Sequence, residues 1–182
     1  MTKQVAVLIG SNSKTSFSKL VFNYLTQVAP ATIQLNLIQI ADLPLYDRDL
    51  DENSPAEYTR FREQIAKSDA VLFIAPEHNG AIPAMIKNAI DVASRPMGKT
   101  LWPGKPAGIV TLGGAMQGGV RVADQLRTIA SAGFVAMPVY TLNANISQVF
   151  SLFNDKGEIV VEPVAEMLQN FIQGYADFVQ KF

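Results

Sequence analysis

The sequence predicts an α/β fold: a three-layer sandwich with a five-stranded parallel sheet at its centre and helices on both faces. Three observations predict it. Short, wholly apolar, β-branched runs recur along the chain, which is the composition of strands buried on both faces. Between them lie longer segments whose apolar residues repeat at helical spacing. Strand and helix alternate five times, and right-handed crossovers then enforce a parallel sheet covered on both sides.

The elements read in order as follows. Val5 to Ile9 is the first buried strand and ends at Gly10. A polar segment, Ser11 to Ser16, leads into a helix carrying Leu20, Val21, Tyr24, Leu25 and Val28. Ile33 to Ile40 is the second strand. Residues 41 to 55 read as a long loop, and Pro55 opens a helix running to about Lys67. Ala70 to Ala75 is the third strand, ended by Pro76. Pro83 opens the next helix, with Ile86, Ala89, Ile90 and Ala93 on one face. Ala107 to Leu112 is the fourth strand, and the helix after it begins near Gly118. Phe134 to Met137 is assigned as the fifth strand. An amphipathic helix from Val164 to Val179 closes the chain. Five strands with these connections favour the flavodoxin-like order 2-1-3-4-5.

Composition narrows the function. A chain of 182 residues, 48% hydrophobic and 17% charged, can bury a full core and is expected to form one domain over 1–182. Lys plus Arg number 15 against 16 Asp plus Glu. That balance offers no basic excess for nucleic acid or an anionic membrane, and no acidic excess for a cationic partner. With no cysteine there is no disulfide, thiolate nucleophile, iron–sulfur cluster or Cys-ligated zinc, and with one histidine, His78, there is no multi-histidine metal site. No apolar run reaches membrane-spanning length and no signal segment is evident, so a cytoplasmic protein is expected.

In an open parallel sheet, ligands bind beyond the carboxyl ends of the strands, where the strand order reverses. The loops after strands one, three and four meet there. The first, Gly10 to Ser18, places Ser11, Ser13, Thr15, Ser16 and Ser18 around a helix start. Hydroxyls and free N–H groups at a helix N-terminus suit a phosphate. No P-loop and no dinucleotide fingerprint is present, which favours a monophosphate. The competing reading is a simple N-cap supplied by Ser16 or Ser18. The second loop, Pro76-Glu77-His78-Asn79-Gly80-Ala81-Ile82-Pro83, is polar and stiffened by proline. Its backbone can serve the edge of a flat ring, or it is only an Asn-Gly turn before a helix. The third, Gly113 to Gly119, has four glycines in seven residues, so either a ligand approaches its backbone closely or the turn is simply flexible.

The run Pro76-Glu77-His78-Asn79-Gly80-Ala81-Ile82-Pro83-Ala84-Met85-Ile86-Lys87-Asn88-Ala89-Ile90-Asp91, continuing through Ser94-Arg95-Pro96, resembles the NADPH-dependent FMN reductase family. Gly10-Ser11 with Ser16-Phe17 resembles that family's phosphate loop, and Gly118-Gly119-Val120-Arg121 with Leu126-Arg127 its motif after strand four. The resemblance implies FMN as cofactor and NADPH or NADH as reductant. Ser11, Ser13, Ser16, Phe17 and Ser18 then lie at the phosphate, and Pro76, Glu77, His78, Asn79, Gly80, Gly113 and Gly114 flank the ring. It also implies a small-molecule acceptor such as a quinone, flavin, azo dye or chromate, a ping-pong mechanism, no conventional catalytic acid or base, and a homodimer or homotetramer. The chain departs from the family in three places: Ser13 replaces an arginine, Ser18 an asparagine and His78 a tyrosine. A loss of charge at Ser13 weakens the phosphate contact unless Lys14 swings in. Asp91 and Arg95 read as structural ion-pair residues. The alternatives are a flavodoxin-like electron carrier and an FMN-binding module without turnover.

Overall fold

The computed structural model describes all 182 residues. Five parallel strands, β1 (Lys3–Ile9), β2 (Ile33–Leu37), β3 (Ala70–Pro76), β4 (Ala107–Leu112) and β5 (Ala144–Ile146), form one sheet. The order is β2-β1-β3-β4-β5, as expected. The helices are α1 (Phe17–Val28), α2 (Ala56–Ala66), α3 (Ala84–Ala93), α4 (Val120–Ser131) and α5 (Glu162–Val179). None is long and apolar enough to cross a membrane.

The strands are apolar throughout because each face is covered. Ala6 and Leu8 of β1, with Val71 and Phe73 of β3, pack into one core together with Tyr58, Phe61 and Ile65 of α2, Ile86 and Ala89 of α3, and Val122 and Leu126 of α4. The alternate residues Val5, Val7, Leu72 and Ile74 face the other core, with Val21 and Leu25 of α1 and Leu168, Phe171, Ile172 and Tyr175 of α5. Successive side chains of a strand point to opposite faces, so one uninterrupted apolar run feeds both cores. Registers such as Val7↔Leu72 and Phe73↔Ile109 align the carboxyl ends of β1, β3 and β4 at one rim.

The fifth strand is not where the sequence placed it. Residues 133 to 135 form a turn. Ala136 has φ 43°, and Pro138 has no N–H to donate to a ladder. The chain touches the sheet at a single bridge, Val139 to Ala107, and pairs again only over β5. Arg127 of α4 holds the intervening excursion: its guanidinium donates to the Tyr140 carbonyl at 3.1 Å, the Thr141 carbonyl at 3.1 Å and Asn143 Oδ1 at 2.7 Å. The second strand is also shorter than expected. The register ends at Leu37; Ile38 N–H makes a last bond to the Val7 carbonyl at 3.0 Å, and Ile38 and Ile40 bury their side chains in the core that holds α2 and α3. The long loop 41–55 contains a single 3-10 turn, Arg48–Leu50.

That loop is tied down by charge. Arg95, just after α3, donates to Asp51 Oδ2 from Nε at 3.0 Å and from Nη2 at 2.6 Å. Tyr46 Oη donates to the same carboxylate at 3.3 Å, and Arg62 Nη2 of α2 lies 4.0 Å from its other oxygen. Asp91 instead pairs one turn back with Lys87 at 2.6 Å. Both Asp91 and Arg95 are therefore engaged in structural ion pairs, though with different partners.

Candidate cofactor site

The three loops converge on a cleft of about 330 Å³ at the carboxyl rim of the sheet. Its walls include Ser11, Ser13, Ser16, Phe17 and Ser18 from the first loop, Pro76, Glu77 and His78 from the second, and Gly113 and Gly114 from the third. Asn79 and Gly80 face an adjoining hollow of about 270 Å³, which shares Glu77, Gly113 and Gly114 with the cleft. The twelve predicted residues are thus divided between the cleft and the hollow beside it, ten in the cleft and Asn79 and Gly80 in the hollow.

The first loop is hydroxyl-rich and partly self-bonded. Ser11 Oγ accepts from the Ser13 N–H at 3.4 Å, and Ser13 Oγ accepts from the Thr15 N–H at 3.3 Å. Ser16 is the residue before α1, with the extended backbone of an N-cap (φ -70°, ψ 119°), yet its hydroxyl caps nothing. Its Oγ is buried in the cleft wall without any hydrogen-bond partner. The capping reading therefore fails for the Ser16 side chain, although the Ser16 carbonyl accepts from Lys19 N at 3.1 Å. Phe17 and Ser18 open α1, where N–H groups have no intrahelical acceptor and the helix dipole is positive. A buried orphan hydroxyl beside free N–H groups is arranged for an anion that brings its own acceptors. Lys14 does not line this cleft; with Lys19 and Lys156 it borders an adjoining hollow that shares Thr15, Ser16 and Phe17 with the cleft.

The second loop is a two-residue turn. His78 and Ala81 exchange both backbone hydrogen bonds, at 3.1 and 3.0 Å. Asn79 (φ 53°) and Gly80 (φ 74°) sit between them in left-handed conformation, the Asn-Gly pattern of a type I′ turn. The loop is anchored to the sheet by Glu77 N–H donating to the Leu112 carbonyl at 2.8 Å. Glu77 Oε1 lies 3.6 Å from Arg121 Nη1 of α4.

Four residues of the cleft lie outside the expected site residues: Thr15, Leu112, Val149 and Phe150. Val149 and Phe150 follow β5 in a 3-10 turn, entered through Gln148 at φ 50°, and form part of the cleft wall. Phe150 is 75% exposed and stands edge-on to Phe17, ring centroids 5.6 Å apart. Assigning the fifth strand to 134–137 hid Val149 and Phe150, because their position depends on where β5 ends.

Such a sheet order, with hydroxyls and helix N-terminal N–H groups at the strand-order switch, defines a flavodoxin-like α/β protein. The chain belongs to the NADPH-dependent FMN reductase family, whose model matches residues 4–149. It is 40% identical over 178 residues to a quinone reductase of Pseudomonas putida, covering 97% of this chain and 94% of the relative. It is 37% identical to an NADPH:quinone oxidoreductase of Arabidopsis thaliana, with coverages of 93% and 88%. Among solved structures it superposes on FerB, a flavoenzyme NAD(P)H:(acceptor) oxidoreductase from Paracoccus denitrificans, with TM-score 0.87, 34% identity, and coverage of 99% and 98%. The chain is an NAD(P)H-dependent oxidoreductase of the flavoprotein class.

Proposed function

We propose that the cleft holds FMN and that the protein reduces quinones and similar small acceptors with electrons from NAD(P)H. The observation that carries this reading is the buried, unpartnered Ser16 Oγ at the start of α1. The cleft fits the cofactor in chemistry: hydroxyls and free N–H groups at one end, and the backbone of the second and third loops at the other. Ser11, Ser13, Ser16 and Ser18 hold the phosphate in this reading, with the N–H groups of Phe17 and Ser18. Pro76, Glu77, His78, Asn79, Gly80, Gly113 and Gly114 flank the ring. When bound, the flavin supplies the electron-accepting and electron-donating chemistry that no side chain here can provide.

The chain's own residues bind and orient. The turn at Asn79 and Gly80 presents N–H groups that carry no hydrogen bond within the protein, so they are free to donate to a ring edge. Glu77 is held by Arg121 and shapes the floor. Phe17 and Phe150 form an apolar wall that a flat acceptor can slide against. One shared slot for donor and acceptor accounts for a ping-pong order, in which product leaves before the acceptor enters. We further place the protein in the cytoplasm as a homodimer, with a homotetramer as the larger alternative.

The test is calorimetric titration with FMN and with riboflavin, which lacks the phosphate. One FMN per chain with much weaker riboflavin binding is expected; equal affinities would remove the phosphate assignment. Steady-state NAD(P)H oxidation with a soluble quinone should give parallel double-reciprocal lines, and no turnover would return the chain to an electron-carrier role.

A further inference from the structure

We infer that Gln125 of α4 is a positioning residue that holds the 78–81 turn in the geometry needed by a flavin ring; the inference rests on the FMN reading above. Gln125 bonds the loop at two points. Its Oε1 accepts from the Ile82 N–H at 3.0 Å, and its Nε2 donates to the Gly80 carbonyl at 3.2 Å. One side-chain amide therefore satisfies a donor and an acceptor that flank Ala81, the residue closing the turn. One helical turn earlier, Arg121 reaches Glu77 Oε1 at 3.6 Å, so two α4 side chains at i, i+4 spacing grip the loop from its two ends.

Local preference sets the type of turn, since Asn-Gly readily takes the left-handed pair of conformations, but it does not set how the turn sits against the rest of the molecule. Between Glu77 and Pro83 the loop's remaining backbone bonds are the His78–Ala81 pair and the Glu77 anchor to Leu112. The N–H groups of Asn79 and Gly80 are left unbonded, and they are the groups whose direction Gln125 sets. A donor aimed at a ring interacts more strongly once the ring is reduced and carries more negative charge. Gln125 accordingly acts on the ring's affinity and on its ease of reduction, without touching it.

The experiment compares wild type, Gln125→Leu and Gln125→Glu. Leu removes both bonds at similar size; Glu keeps an acceptor for Ile82 N–H and loses the donor to the Gly80 carbonyl, which serves if Leu fails to fold. The apoprotein readout is amide exchange at Ala81 and Ile82, expected to accelerate in Gln125→Leu. The flavin readouts are affinities for FMN and riboflavin and the two-electron potential of the bound flavin. Both flavins should weaken by the same factor of about ten, leaving their ratio intact. The potential should fall, by about 30 mV for each tenfold excess loss in affinity for the reduced form. Unchanged exchange at Ile82, or a lower Tm with unchanged flavin affinity and potential, would overturn the role of Gln125. A wild-type protein that binds neither flavin would overturn the FMN reading, whatever the exchange rates show.

Discussion

Tyr175 Oη donates to the Val71 carbonyl at 2.8 Å, so a phenol from α5 bonds to the middle strand of the sheet from within a fully buried core. It is also within 3.3 Å of the Pro106 carbonyl, at the entry to β4. Burial pushes the phenol far above its usual range, an effect only partly offset by its backbone hydrogen bonds. The folded state therefore keeps this group neutral where the unfolded chain ionises it.

The sign of the pH effect follows. The folded pKa is raised, so Tyr175 contributes its full stability below the ordinary tyrosine pKa of about 10 and loses it as pH rises beyond that. Thermal melts of wild type should drop steeply between roughly pH 9.5 and 11 on this ground. Tyr175→Phe should cost about 1–2 kcal/mol at pH 7, a lost buried hydrogen bond, and should lose less on going alkaline. If both proteins decline in parallel, the Tyr175 phenol is not the group responsible.

Ser16→Ala gives a sharper test than an ordinary cap substitution. Loss of a working N-cap costs about 1 kcal/mol, but Ser16 Oγ bonds to nothing within the protein. Removing a buried unsatisfied hydroxyl should leave apoprotein stability unchanged or raise it by up to about 1 kcal/mol. FMN affinity should fall tenfold or more, the equivalent of one hydroxyl bonded to a charged phosphate at about 1.5–3 kcal/mol. Riboflavin affinity should not move. Opposite outcomes, a destabilised apoprotein and intact FMN binding, would make Ser16 a structural residue.

How much of this was legible in the sequence divides along physical lines. The strands β1, β3 and β4 were readable because burial on both faces demands unbroken apolar runs such as Val71 to Ala75. The loops were readable because hydroxyls, Asn-Gly and glycine clusters have few uses at strand ends. β5 was misplaced because Phe134 to Met137 has the composition of a strand while Ala136 has the backbone of a turn. Val135 and Met137 are buried there without any ladder, and Phe134 is 84% exposed. Phe150 and Gln125 were not legible at all. One depends on the corrected end of β5, the other on a side chain bonding across 43 residues to a loop, and neither leaves a periodic trace.

The third loop predicts two unequal glycines. A Cβ on Gly113 would lie 2.9 Å from the Gly119 N and 3.3 Å from the Gly118 carbonyl carbon, both backbone. A Cβ on Gly114 would lie 2.5 Å from Phe150 Cε2, the far end of an exposed side chain. Gly113→Ala should therefore lose about 1–3 kcal/mol in urea unfolding. Gly114→Ala should stay within about 0.5 kcal/mol, yet change FMN affinity by moving Phe150. In a double-mutant cycle that effect should vanish in the Phe150→Ala background. A persistent effect there would mean that Gly114 itself, not Phe150, governs the cleft.

His78 is one of the three positions, with Ser13 and Ser18, at which the sequence resemblance breaks, and the turn geometry decides what that means. Both its backbone groups are spent on Ala81, and the left-handed pair Asn79-Gly80 fixes the turn whatever side chain precedes it. His78 is exposed and lines the cleft and a neighbouring hollow beside Pro83 and Met85, and its imidazole makes no hydrogen bond to a protein group that would orient it as an acid or base. A proton donor needs such orientation. His78→Tyr should therefore keep the rate of flavin reduction by NAD(P)H within roughly tenfold, a barrier change of about 1.4 kcal/mol, and His78→Ala should do the same. Acceptor KM is the quantity expected to shift, since the side chain borders the slot. Stopped-flow reduction of the loaded enzyme separates the two, and a thousandfold loss in both variants with FMN still bound would make His78 a catalytic residue.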